Sequence, residues 1–231
     1  PVERLAGRLA TSSAAQLELD LTALATVIFR RPAILDDLWA KVDPSRRAVL
    51  LRWLSRWLPI CTTEHIIRGL EDPSEEVRLE AVTLARLVVD PSLVEPLSRL
   101  ALTPGLHQSA AAYALKAQNL EGAHPVLLQL IADGTTETGL VALTGILRAR
   151  SSALISQAQP STELSSHLYS VFGVHRPEQL IALEFDALID VLEHSAEPFR
   201  PLLIEMLALK SNSDPRAREK LILLGGGRET E

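Results

Sequence analysis

The chain has almost no cysteine and few aromatic residues. Of its 231 residues only Cys61 is a cysteine, which excludes an intrachain disulfide framework and a cysteine zinc site. Aromatic side chains make up 4% of the chain, and β-branched residues seldom alternate with polar ones, so strand signals are scarce. Leucine and alanine, both good helix formers, provide most of the apolar residues. The composition therefore predicts an all-α protein.

Long apolar runs are absent as well. No stretch approaches the roughly 18 uninterrupted apolar residues of a membrane-spanning helix, so no membrane span is expected. The start shows no charged-then-apolar signal sequence. Together with the single cysteine, these features favour a cytoplasmic location. The first residue is Pro1 rather than methionine, so we expect that the native N-terminus is trimmed or lies further upstream.

Motifs that carry catalysis are also missing. There is no Gly-x-Ser-x-Gly elbow, phosphate-binding glycine loop or His-Glu-x-x-His sequence. The six histidines never lie four residues apart, so histidine alone would need long-range assembly to bind a metal. Glu75, Glu76 and Glu80 lie in the first turns of a predicted helix, where the unpaired amides favour carboxylates. The sequence predicts no enzymatic activity, metal or cofactor.

Charge is unevenly distributed along the chain. The net charge is −6; the first 60 residues hold nine Arg and Lys against six Asp and Glu, and the remainder holds fourteen against twenty-three. A basic N-terminal part is thus followed by an acidic body. This balance disfavours binding of nucleic acid or anionic membranes by the chain as a whole.

A period of about 30 residues organises the central part of the chain. Equivalent leucines and alanines recur at this spacing, and a turn-forming pair separates the helices of each unit. These positions are Leu70, Leu100 and Leu130; Ala81, Ala112 and Ala142; and the corners Asp72-Pro73, Thr103-Pro104 and Asp133-Gly134. A fixed period in this range is typical of stacked helical hairpins, which bury their apolar faces against neighbouring repeats.

The repeat pattern also predicts how the chain is organised. Residues 1–150 are predicted to form helical repeats, clearest at 62–149, and the Asp-Pro-Ser corner at 43–45 returns 29 residues later. Residues 151–176 are predicted to be an irregular, serine-rich helical connection. Residues 177–224 are predicted to return to helical repeats, and 225–231 to form a flexible tail. We expect a single continuous solenoid.

The run from Asp72 to Ala81 resembles the HEAT repeat, in which an Asp corner precedes a Val-Arg pair and a small residue. Its period of 30–31 residues is similar to that of the bacterial HEAT-like repeats often likened to phycobilisome lyases. In that family the Asp and Arg form a ladder between adjacent repeats; Asp72 and Arg78 match these positions, and Asp214 with Arg218 match them loosely. The resemblance implies an α-solenoid of stacked antiparallel helical hairpins.

Such solenoids usually serve as binding scaffolds, so the resemblance implies a non-enzymatic adaptor that binds a protein or peptide segment. In HEAT-like pairs the helix after the Asp corner lines the concave side. The positions expected to be partly exposed there pass from acidic to small and apolar, which suits a segment with a few basic residues. They are Glu76, Glu80, Thr83, His107, Ala111, Glu137, Val141 and Thr144.

Two alternative functions remain open at the sequence level. Tryptophan beside arginine binds nucleic acid by stacking and phosphate contact, and some HEAT-like DNA glycosylases bind DNA along such a groove. Trp53 and Trp57, however, share their helix face with Leu50, Leu54 and Leu58, which favours core tryptophans and a solvated basic face. The first alternative is a nucleic-acid-binding protein that uses Arg46, Arg47, Arg52 and Arg56. The second is a lyase-like HEAT-repeat enzyme.

Overall fold

The computed structural model describes residues 2–105, 107–194 and 197–226, and in this part of the chain helices and turns occur without a strand. The prediction of an all-α protein is confirmed. The chain divides into two compact units, Pro1–Ala114 and Leu115–Glu231. This division falls earlier in the chain than the change of register predicted near residue 150. The two units are described separately below.

Most helices of the first unit are short. They are α1 (Val2–Thr11), α2 (Ala14–Ala23), α3 (Ala25–Arg30), α4 (Ala33–Trp39), α5 (Pro44–Arg56), α6 (Thr63–Leu70), α7 (Glu75–Ala85), α8 (Val94–Leu102) and α9 (Gln108–Gln118), which begins in this unit.

Side chains at the predicted corners start several of these helices. The Ser13 hydroxyl accepts a hydrogen bond from the amide of Gln16 at the start of α2, and the Asp43 carboxylate accepts one from the amide of Arg46 in α5. Each bond satisfies an amide that has no partner within its helix. The Asp-Pro-Ser corner at 43–45 therefore starts a helix, as predicted.

Close packing between helices defines the core of the first unit. α5 packs against both α2 and α7, and α6 pairs with α7. Gly69 of α6 permits this approach, because a Cβ built there would lie 2.7 Å from the Cβ of Ala81 and 2.8 Å from Cδ1 of Leu51. The small residue predicted at Ala81 thus meets a glycine on the neighbouring helix.

The helices of the second unit span the same range of lengths as those of the first, from 6 to 13 residues. They are α10 (His124–Asp133), α11 (Thr136–Arg148), α12 (Ser152–Gln157), α13 (Thr162–Phe172), α14 (Pro177–Ala182), α15 (Phe185–His194), α16 (Arg200–Lys210) and α17 (Pro215–Gly226).

The centre of the second unit is α11. It packs against α10, α13 and α16, and its residues 138–147 are all buried. The region 151–176 forms two helices, α12 and α13, and the second of them ends at Gly173 in a left-handed conformation with φ of 67°. That conformation favours glycine, which has no Cβ to clash with the backbone.

Several helix boundaries differ from the sequence-based expectation. The helical spacing of apolar residues predicts one helix up to Phe29 and another over 177–193, but the first is interrupted at Leu24 and the second after Ala182. The same spacing predicts that Leu87 points inward with Val77, Ala81 and Leu84, but α7 ends at Ala85 and Leu87 is 54% exposed. Of the predicted tail, Gly225 and Gly226 belong to α17, and residues 227–231 lie outside the described part of the chain.

Candidate binding surfaces

The four arginines of the nucleic-acid alternative are all engaged in contacts within the first unit. Arg46 pairs with Asp43, and its Nε also donates to the carbonyl oxygen of Ser12 at 2.7 Å. The remaining pairs are Arg47 with Asp72, Arg52 with Glu80, and Arg56 with Glu18.

These ion pairs neutralise the charge that phosphate binding would need. Nη1 of Arg47 lies 2.6 Å from Oδ2 of Asp72, and Nε of Arg52 lies 3.0 Å from Oε1 of Glu80. The hydrogen bond to Glu80 also raises the pKa of Arg52 above its ordinary value. The predicted basic face is therefore a set of intramolecular ion pairs, and no free row of cations follows α5.

The paired tryptophans are partly in the core, as expected. Trp53 is fully buried, and the ring of Trp57 stacks on it with centroids 5.8 Å apart. Trp57 and Leu58 remain more than one-third exposed, because α5 ends at Arg56 and they fall beyond its buried face. The prediction that all of this face is core is therefore wrong at its C-terminal end.

Asp72 and Arg78 stabilise the corner between α6 and α7 in different ways. The carboxylate of Asp72 accepts hydrogen bonds from Arg47 and from the amide of Ser74. Nη1 of Arg78 donates to the backbone carbonyls of Asp72 and Pro73, at 2.8 and 2.9 Å. Arg47 of α5 thus links this corner to a neighbouring helix, whereas Arg78 contacts only the backbone of the corner that precedes its own helix.

The loosely matched second corner behaves similarly. Asp214 pairs with Arg216, and hydrogen bonds from that side chain hold the pKa of Asp214 below its ordinary value. Arg218, which the resemblance placed at the ladder position, is exposed and makes no ion pair within the described residues.

The predicted protein-binding positions are divided between surface and core. Glu76, Thr83 and Glu137 are exposed, and Glu80 is half-buried and paired with Arg52. The other four positions are buried, which contradicts the expectation that they are partly exposed: His107, Ala111, Val141 and Thr144.

The buried positions have identifiable surroundings. Val141 and Thr144 lie on α11, which other helices cover on every side, and the Thr144 hydroxyl donates to the carbonyl of Val141 at 2.6 Å. Nδ1 of His107 lies 3.8 Å from a carboxylate oxygen of Glu75. What remains of the predicted face in the first unit is one row on α7, consisting of Glu76, Glu80 and Thr83, which we call the α7 row.

Polar contacts at the repeat spacing are the feature that sequence reasoning missed. They join residues 25–32 positions apart within each unit. In the first unit they are Arg47–Asp72, Arg52–Glu80, Arg68–Asp36, Arg99–Glu71 and Thr63–Asp90; in the second, Thr136–Glu163, Arg216–Asp186 and Lys220–Glu193. Opposite charges offset by about one repeat are the sequence signal that predicts such pairs.

An exposed apolar surface on α2 and α3 was missed as well. Leu19, Val27 and Phe29 are 65%, 42% and 61% exposed. Two open cavities, of about 300 and 480 Å³, lie along these helices. Their walls combine apolar side chains with arginines that have no ion-pair partner among the described residues.

Metal and membrane sites are not indicated in the part of the chain that the structure describes. There, no three His, Cys, Asp or Glu side chains come close enough together to hold a metal ion. None of the helices in that part combines the length and apolar character that a membrane crossing needs. Cys61 is partly buried, and this burial raises the pKa of its thiol to about 11.

Comparison with known proteins identifies no relative. No protein-family model, curated protein or solved structure matches the chain significantly.

Proposed function

We propose that the chain is an α-solenoid of HEAT-like helical hairpins and acts as a non-enzymatic scaffold that binds a protein or peptide segment. The observation that supports this proposal is the set of repeat-spaced polar contacts. Residues about one repeat apart pair with each other within both units, as expected where successive hairpins stack in register. Stacked hairpins create extended surfaces that suit elongated partners.

The α7 row is the proposed binding surface. Glu76 and Thr83 are exposed and seven residues apart, so they lie on the same side of the helix, with Glu80 between them. Glu80 is already paired with Arg52, which leaves Glu76 as the free carboxylate of the row. A bound segment would place a Lys or Arg against Glu76 and a small or apolar side chain near Thr83.

Peptide selection tests this function directly. A displayed library of random 16-residue peptides is selected on the immobilised protein, and the affinity of the recovered peptides is measured by fluorescence anisotropy. The row variant carries Glu76→Lys and Thr83→Lys. The control variant carries Glu95→Lys and Gln129→Lys, which make the same change of charge at exposed positions outside the row.

The scaffold proposal predicts basic peptides that bind the row variant at least about tenfold more weakly than the wild type, a loss of roughly 1.4 kcal/mol. The control variant should retain wild-type affinity. Recovery of no peptide that binds better than its scrambled version would refute the scaffold function. Equal losses in both variants would show that the α7 row is the wrong surface.

A further inference from the structure

The helices α2 and α3 form one nearly continuous rod with an unpartnered face. The amide of Leu24 donates to the carbonyl of Asp20, and the carbonyl of Leu24 accepts from the amides of Val27 and Ile28. Helical hydrogen bonding therefore continues through the interruption, and helical spacing still decides which residues share a face. Leu17, Leu21 and Ile28 are buried on one side, and Leu19, Val27 and Phe29 are exposed elsewhere around the rod.

The two cavities follow each other along this rod. The first, of about 300 Å³, is lined by Arg8, Leu9, Ser12, Asp20, Ala23 and Leu24. The second, of about 480 Å³, is lined by Thr26, Val27, Arg30 and Arg31. Asp20, Leu24 and Val27 are spaced by four and three residues, so they form one row along the rod, and Arg31 follows directly after the end of α3. We call this row and the two cavities the α2–α3 groove.

The arginines of the α2–α3 groove have no ion-pair partner among the described residues. Arg30 and Arg31 are exposed, and neither they nor Arg8 make an ion pair with any described residue. Asp20, the acid in the groove, already accepts hydrogen bonds from Ser12 and Gln16 at 2.9 and 2.8 Å. The arginines of α5, by contrast, all have acidic partners. The groove therefore holds arginines that can pair with an external acid.

We infer that the α2–α3 groove binds an acidic amphipathic helix of a partner protein. Apolar side chains of that helix, one or two turns apart, would contact Leu24 and Val27. Carboxylates beside them would pair with Arg30 and Arg31. Binding of an amphipathic helix in a groove uses apolar anchors at this spacing, and complementary charge fixes its orientation.

The shape and chemistry of the groove favour this partner over nucleic acid. A single-stranded nucleic acid needs aromatic side chains on which successive bases stack, together with a row of cations along the backbone. The apolar residues that line the groove, Leu9, Leu24 and Val27, are aliphatic, and none of the described lining residues is aromatic. Aliphatic side chains are better covered by other apolar side chains. The inference goes beyond the proposed function, because this surface and its partner differ from those of the α7 row.

A second peptide selection tests the groove. A displayed library of 16-residue peptides is selected on the wild-type protein, and the affinity of each recovered peptide is then measured for a variant with Arg30→Glu and Arg31→Glu. The matched control carries Lys41→Glu and Arg218→Glu, which reverse the charge of two exposed cations elsewhere. A third variant, Val27→Asp, tests the apolar wall at an exposed position where the fold does not depend on the side chain. Circular dichroism verifies that each variant is folded.

We expect the selection to yield acidic peptides with apolar residues three or four positions apart. Their affinity should fall at least about tenfold for the arginine variant and for Val27→Asp, and should be unchanged for the control. A peptide in which the acidic residues are replaced by lysine should bind the arginine variant better than the wild type.

The other outcomes overturn the inference. Peptides that bind equally well to the wild type and the arginine variant would place the binding surface elsewhere. If those peptides were instead lost with the α7 row variant, the scaffold function would stand and the groove would not. Binding of a labelled oligothymidine in preference to every selected peptide would assign the groove to nucleic acid. Concentration-dependent dimerisation abolished by Val27→Asp would assign it to a second copy of the chain.

Discussion

Replacement of Asp72 by alanine is expected to destabilise the first unit by about 3 kcal/mol. The side chain of Asp72 is 2% exposed and that of Arg47 is 20% exposed, so the ion pair is largely removed from water. Breaking a buried pair by removing one partner costs roughly 3–5 kcal/mol. Partial hydration of Arg47 reduces this cost to about 2–3 kcal/mol, and the lost hydrogen bond to the Ser74 amide adds about 0.5–1 kcal/mol.

Urea unfolding measured by tryptophan fluorescence reports on this unit alone. The chain has three tryptophans, Trp39, Trp53 and Trp57, and all precede residue 115. With a typical slope of about 2 kcal/mol per molar urea, the midpoint should fall by roughly 1.5 M and the slope should stay constant. The control is Glu71→Gln, which removes an exposed pair with Arg99 and should cost less than about 0.5 kcal/mol.

A double-mutant cycle decides whether the ion pair is the cause. In an Arg47→Met background, Asp72→Ala should cost about 1–2 kcal/mol less than in the wild type, because the charge that it would leave unpaired is already gone. A loss below about 1 kcal/mol for Asp72→Ala alone would refute the estimate. The same loss in both backgrounds would show that Asp72 acts without Arg47.

Three further predictions use the same chain. Gly69→Ala should lower the free energy of unfolding in urea by about 1–3 kcal/mol, because the added Cβ would lie too close to Ala81. The control Gly7→Ala should be neutral or slightly stabilising, because no heavy atom lies within 4 Å of the added Cβ. Equal effects of the two substitutions would contradict the packing argument. At pH 8 the thiol of Cys61, with its pKa raised to about 11, should react with iodoacetamide roughly 100-fold more slowly in the native protein than in urea, and similar rates would contradict its burial. Burial lowers the pKa of His65, so this side chain takes up a proton near pH 6.5 in the unfolded chain but only at lower pH in the native protein. The free energy of unfolding should therefore fall from pH 7 to 5, and it should fall less in His65→Gln. An identical fall in both proteins would exclude His65 as a cause of the pH dependence.

Capping residues and the helical spacing of apolar residues made the helices of the fold predictable. Asp43 and Thr135 start α5 and α11 because their side-chain oxygens accept hydrogen bonds from the amides of Arg46 and Thr138, as residues of these types do in general. The interruptions at Leu24 and Leu183 were missed because neither a glycine nor a proline marks them.

The candidate binding surface was harder to predict than the fold. Helical spacing shows that Val141 and Thr144 share a face, but it does not show how many neighbours cover that face. α11 is packed on by α10, α12, α13 and α16, so positions that would be exposed in a regular hairpin are buried. Helical spacing predicted that Arg47 and Arg52 point away from the tryptophans, but it did not predict their acidic partners, which lie about one repeat away along the chain.

The uninterrupted burial of α11 makes it a natural reporter for the second unit, which has no tryptophan. Its residues 138–147 are covered by α10, α13 and α16, so their amides reach solvent when those helices separate. Hydrogen–deuterium exchange at these amides should therefore follow the cooperative opening of the unit rather than local fraying. The slowest exchange rate in α11 gives the free energy of opening of the second unit, which tryptophan fluorescence cannot observe.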